Sequence, residues 1–145
     1  MPILRLFSVG IMITLSDDIT TKHAQYWEER LTENVVCEAI LEWLSEKKAE
    51  NIRVYDVERT LGYTDIVIVC EGSADLHNRA IANHLIEMAK ENKLHVMSKE
   101  GLEYGHWILI DLGQAIVHVF LPHVRDYYKL DELLEKVKNS EIKES

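Results

Sequence analysis

The sequence predicts one α/β domain of α+β character: a mixed five-stranded sheet with helices packed on its faces. Three observations point there. Residues 100–121 read EGLEYGHWILIDLGQAIVHVFL, in which two apolar, β-branched runs, His106–Asp111 and Ala115–Leu121, flank a Leu112-Gly113-Gln114 link. Glycine takes positive φ at no steric cost, so the link reads as a hairpin turn. Both runs are nearly continuous in apolar residues, the pattern of strands covered on both faces. The chain has 145 residues, enough for one domain with a full core and too few for two.

Taken in order, residues 1–31 read as an N-terminal arm. Residues 2–15, PILRLFSVGIMITL, are apolar, but Arg5 interrupts the run and acidic Asp17-Asp18 follow without a small-x-small cleavage pattern. A leading strand or hydrophobic arm is therefore expected rather than a signal peptide. Asp17 or Asp18 caps a short helix through Leu31. The domain proper spans residues 32–138. Thr32 is the N-cap candidate of its first helix, Glu33 suits the first turn, and Val36, Ile40, Trp43 and Leu44 form one apolar stripe. Ile52–Val57 and Asp65–Cys70 read as strands joined by a turn containing Gly62. Ser73 is the N-cap candidate of a helix running to about Asn92, with Leu76, Ala80, Ile81, Leu85 and Met88 as its buried stripe. Leu94–Met97 is a short strand, and Ser98–Gly101 a polar loop leading to the hairpin. Pro122 ends the last strand. His123–Lys129 and Leu130–Lys138 follow as one broken helix or two short ones, with Val124, Tyr127, Tyr128, Leu130, Leu133, Leu134 and Val137 as the apolar side. Residues 139–145 form a polar tail.

Composition narrows the function. Twenty-five acids against 16 bases give a formal charge of -9. That sign opposes direct nucleic-acid binding, in which Lys and Arg replace counterions on phosphates, and permits docking on a basic protein. Two cysteines, Cys37 and Cys70, make no disulfide framework and have no metal-ligand spacing. With no membrane span in the sequence, a cytoplasmic protein is expected.

Residues that could carry chemistry are sparse. Gly72-Ser73, between a strand and a helix N-terminus, is an arrangement that can cradle phosphate through backbone N–H groups. Nucleotidyltransferases with a similar Gly-Ser turn need two neighbouring carboxylates to hold Mg²⁺, and no Asp-x-Asp follows here. Asp56, Asp65 and Asp111 are single acids at strand ends, and Ser73 reads more simply as a helix cap. Seven histidines make no compact ligand pair, so neither a metal nor a cofactor is expected, and His118 reads as a core histidine. No nucleophile sits beside an identifiable base. What remains is Trp107, at the start of a central strand beside Glu103, Tyr104, Gly105 and His106. It is either a core residue or, at the sheet's end, a rigid aromatic anchor for a partner.

The ordered series Asp65, Gly72-Ser73, Glu100-Gly101, Trp107-Ile108-Leu109-Ile110-Asp111-Leu112-Gly113, Val117-His118-Val119-Phe120, then Arg125, Tyr128 and Leu130 resembles the ribosomal silencing factor family, also called Iojap-related. The resemblance covers residues 32–138. It implies a nucleotidyltransferase-like fold without the catalytic carboxylates, hence no enzyme. It also implies a translation repressor that binds the large ribosomal subunit at its intersubunit-face protein number fourteen and blocks joining of the small subunit when nutrients are scarce. A homodimer off the ribosome is implied as well. Carried over by position, Trp107 matches the family's tryptophan at the ribosomal-protein contact, and His106, Ile108 and Leu109 extend that segment. Asp111, His118 and Arg125 match signature positions, in structure or at the rim of the patch. Leu76 and Leu134 depart from the basic residue and the tryptophan common at those places. The alternative reading is a nucleotidyltransferase-like or phosphate-handling enzyme using Gly72-Ser73, and a third is a dimerising scaffold.

Overall fold

The computed structural model describes residues 35–58 and 64–144. Along the chain these form α1 (35–46), β1 (Glu50–Glu58), β2 (Thr64–Glu71), α2 (Asp75–Glu91), β3 (Ser98–Glu100), β4 (Trp107–Asp111), β5 (Ala115–Phe120), α3 (Pro122–Tyr128) and α4 (Leu130–Glu144). The expected arm, the Thr32 cap, Glu33 and the Gly62 turn lie outside the described residues. One sheet has the strand order β1-β2-β5-β4-β3. β2 and β5 pair parallel and the other three pairs are antiparallel, so the sheet is mixed, as the sequence predicts.

The β4–β5 hairpin occupies two of the three inner positions. Its turn closes as the link suggests: Gly113 takes φ 80° and donates its N–H to Asp111 Oδ1 at 2.8 Å. Leu112 N–H reaches Ala115 O at 2.8 Å. This turn sets the register Trp107↔Phe120, Leu109↔His118 and Asp111↔Ile116. Side chains then alternate by face. Ile108, Ile110, Val117 and Val119 join Ile68 and Cys70 against α1 and α2 in the main core. Tyr55, Val67, Val69 and Phe120 point to the other face, where Val124 of α3 and Leu130 and Leu134 of α4 cover them with Trp107 alongside. Each aliphatic side chain fully buried this way contributes ~1.5–3 kcal/mol.

Three expectations are corrected. The strand expected over Leu94–Met97 lies at Ser98–Glu100, because Leu94 N–H caps α2 at Ala89 O and only from Met97 onward does the backbone reach β4. Leu94 and Val96 pack on the core as a lead-in instead. The buried stripe of α2 is Asn78, Ile81, Ala82, Leu85, Ile86, Met88 and Ala89, whereas Leu76 is exposed by 70% and Ala80 is also exposed. Leu76 stands five positions before Ile81, which turns it off the stripe. Ser73 does not cap α2. The N-cap is Ala74, with no side-chain bond, and the Ser73 N–H instead donates to His77 Nδ1 at 2.9 Å. His77 Nε2 in turn meets Lys47 O at 2.8 Å, tying the end of α1 to the start of α2. After Pro122 there are two helices, divided at Lys129 in the left-handed region (φ 52°), and the second continues to Glu144.

Gly72 is needed for a steric reason. A Cβ there would fall on Asn78 Oδ1, well inside van der Waals contact. Asn78 is fully buried and its Nδ2 donates to Gly105 O at 2.7 Å, so it cannot swing away without releasing the β3–β4 loop. Gly72→Ala is expected to cost about 1–3 kcal/mol through overpacking. Urea unfolding should show a lower midpoint with an unchanged slope; an unshifted midpoint would mean that Asn78 has room to move.

Candidate partner-binding surface

Trp107 begins β4 and is half-buried on the face away from α1 and α2. Its indole Nε1–H donates to His118 Nδ1 across the hairpin at 3.0 Å. The ring stacks on Phe120 at 4.8 Å between centroids and tilts against Tyr128 at 4.9 Å. Tyr128 meets Tyr127 edge-on at 5.0 Å. The rings thus step outward from the buried Phe120 through Trp107 to Tyr128 and Tyr127, which are 56% and 77% exposed. The sequence predicts both tyrosines on the buried side of a helix. Adjacent helical residues are buried together elsewhere in the chain, at Trp43-Leu44 and Leu85-Ile86, so spacing alone carries no signal that these two rings stand outside the core. Leu133, expected on the same buried side, is 57% exposed.

The corner bearing these tyrosines is held by charge. Arg125 on α3 grips Asp131 on α4 with two bonds, Nε to Oδ2 at 2.9 Å and Nη2 to Oδ1 at 3.0 Å. Its Nη1 also donates to Glu71 Oε2 at 3.1 Å and to Asn51 O at 2.7 Å. Asn51 Nδ2 binds the other Glu71 oxygen at 2.6 Å, and Tyr55 Oη donates to Asp131 Oδ1 at 2.5 Å. Burial works against the Asp131 carboxylate, yet the hydrogen bonds from Arg125 and Tyr55 outweigh it and hold its pKa below the usual range. Burial, with the Asp131 bond, pushes the Tyr55 hydroxyl up to about 12. A cleft of 810 Å³ opens beside this network, lined in part by Arg53, Glu132, Glu135 and Lys136.

The structure brings only part of the sequence-derived site together. Trp107, Leu109 and His118 share one face, with Leu109 half-buried opposite His118. His106 is exposed, and its carbonyl accepts Leu121 N–H at 2.9 Å. Ile108 is a correction: it is fully buried in the main core because alternation turns it away from Trp107, so it offers nothing to a partner. Asp111 stands at the far end of β4, ~13 Å along the strand at 3.3 Å per residue, and caps the hairpin turn. Arg125 belongs to the corner network. At Gly72-Ser73, the Ser73 N–H that would meet a phosphate is taken by His77. Both thiols are kept protonated chiefly by burial, Cys70 with its pKa pushed up to about 12. Among the described residues no three His, Cys, Asp or Glu side chains gather to hold a cation, and no helix is long and apolar enough to cross a membrane.

Fold and surface together define a small α+β domain with a mixed sheet and a stepped row of aromatic rings at one sheet end. A family model described as "Ribosomal silencing factor during starvation" matches residues 29–145, and the chain belongs to that family. The ribosomal silencing factor RsfS of Bacillus subtilis is 38% identical over 88 residues, covering 61% of this chain and 75% of its own. A crystal structure of a Chromobacterium violaceum protein superposes with a TM-score of 0.62 at 34% identity, over 66% of this chain and 80% of that one. A mouse protein named for mitochondrial assembly of the ribosomal large subunit is 29% identical over 93 residues, 62% of this chain and 41% of its own.

His118 makes the surface sensitive to acid. Burial pushes its pKa from 6.5 down to about 4, with the Asp131 charge opposing. The unfolded chain therefore takes up this proton before the folded one does. The stability that His118 contributes is complete above pH 6.5 and is lost as pH falls from 6.5 towards 4, by up to ~3 kcal/mol. Urea unfolding at pH 7.5 and 4.5 should show a larger acid loss in the wild type than in His118→Asn; equal losses would assign the effect to other groups.

Proposed function

We propose that this chain represses translation by docking on the large ribosomal subunit, at the basic protein numbered fourteen on the intersubunit face, so that the small subunit cannot join. The observation that carries this reading is Trp107, a rigid indole held half-exposed at a sheet end, with two exposed tyrosines continuing from it. Rigid aromatic side chains in such positions dominate interface energies. Family membership supports a role in silencing ribosomes, and the mouse relative's name supports a large-subunit partner. Charge agrees. A net -9 attracts a basic ribosomal protein and is repelled by the rRNA around it, which favours protein-to-protein docking over direct nucleic-acid binding.

Occlusion needs no bond made or broken, so the chain works as a cytoplasmic repressor and not as an enzyme. Off the ribosome it is a homodimer. The phosphate-handling alternative at Gly72-Ser73 is disfavoured by His77, which occupies the Ser73 N–H, and by Asn78, which fills the space beside Gly72.

Trp107→Ala is expected to stay folded and to lose at least ~2 kcal/mol of affinity for large subunits, as an interface hot spot does. On sucrose gradients of a lysate, the wild-type chain should co-migrate with free large subunits and the variant should remain in light fractions. Unchanged co-migration of folded Trp107→Ala would remove this surface from the contact.

A further inference from the structure

Docking through Trp107 requires its indole to stand at one angle, and a half-exposed ring at a sheet end keeps one angle only if its neighbours set both χ angles. Packing alone constrains it on two sides: Phe120 stacks beneath it and Tyr128 tilts against it. Tyr128 is itself 56% exposed and is a poor wall. The directional restraint is the hydrogen bond from indole Nε1–H to His118 Nδ1, 3.0 Å long and spanning the two strands of the hairpin. His118 is only 8% exposed, and its ring lies within 14° of parallel to Phe120, so the acceptor is set by the core and the half-buried indole takes its direction from it.

The tautomer follows. Nδ1 must present its lone pair to the indole, so in the neutral ring the proton sits on Nε2. An indole N–H left without this acceptor would turn outward to find water, and the ring would leave the plane that Phe120 supports.

We infer that His118 is a positioning residue for the partner contact. It holds Trp107 in the docking orientation through the indole N–H and touches no partner atom itself. This inference rests on the docking reading above, and the two can fail separately. The comparison is between His118→Phe, which keeps a flat ring and deletes the acceptor, and His118→Asn, whose Oδ1 can stand in for Nδ1. His118→Leu repeats the deletion with less volume, in case the ring exchange unfolds the chain.

Affinity of the full chain for purified large subunits should fall about tenfold in the acceptor-deleting variant that folds, the size of one lost orienting hydrogen bond, and should stay within about threefold in His118→Asn. The Trp107 indole N–H resonance, identified by its loss in Trp107→Phe, should exchange slowly with solvent in the wild type and His118→Asn and quickly in the deletion variant. In a Trp107→Ala background the His118 deletion should add no further loss, since a residue acting through another is not additive with it. If Trp107→Ala weakens binding while deletion of the His118 acceptor does not, or if the two losses add, the positioning role is overturned and the docking surface stands. If Trp107→Ala itself leaves binding unchanged, the docking surface falls and the positioning role with it.

Discussion

The register of the β4–β5 hairpin is the constraint on which the rest depends. Both faces of these strands are covered by different partners, so a slip of one residue would drive Trp107 and Phe120 into the space sized for Ile108 and Val119. The Gly113 turn and the Asp111 carboxylate that caps it prevent the slip. Parallel pairing of β5 with β2, Ile66↔Ala115 through Glu71↔Phe120, then carries the same alternation across the sheet. The main core on one face and the aromatic row on the other are two consequences of one register.

The second face is finished by a corner rather than by a layer. Helix α3 has only seven residues and ends in a left-handed Lys129, a geometry that would drift without an anchor. Arg125 supplies the anchor by joining α3, α4 and the paired ends of β1 and β2. Its side chain and that of Glu71 are little exposed, 11% and 12%. Partly desolvated pairs of this kind add modest net stability, because the cost of removing both charges from water offsets the attraction. Their value here is geometric: they determine where Tyr127 and Tyr128 stand relative to Trp107.

The Gly-Ser turn illustrates how a motif can persist as geometry with another occupant. Strand, glycine, serine and helix N-terminus are all in place, yet the group received at Ser73 is the chain's own His77, and the clearance at Gly72 is filled by Asn78. The two α2 residues that fill the turn do other work as well: His77 ties α2 to the end of α1, and Asn78 holds the β3–β4 loop from which Trp107 emerges. A feature with the look of a phosphate site thus contributes to the surface at the other side of the sheet.

The sequence by itself determined the sheet-and-helix architecture, the hairpin and its turn and the stripe on α1, and it left Trp107 either in the core or at the sheet's end. Those signals are local, carried by alternation, glycine and helical spacing within a few residues. Only the tertiary structure decided that Ile108 is core and Leu109 is not, that Arg125 meets Glu71 and Asn51 from 54 and 74 residues away, and that His118 serves as the indole's acceptor. It also decided that α2 takes Ala74 as its N-cap, with Ser73 one residue outside and bonded to His77. Periodicity states which residues share a face of their own element. What stands opposite that face is settled by packing between distant segments, and no spacing along the chain encodes it.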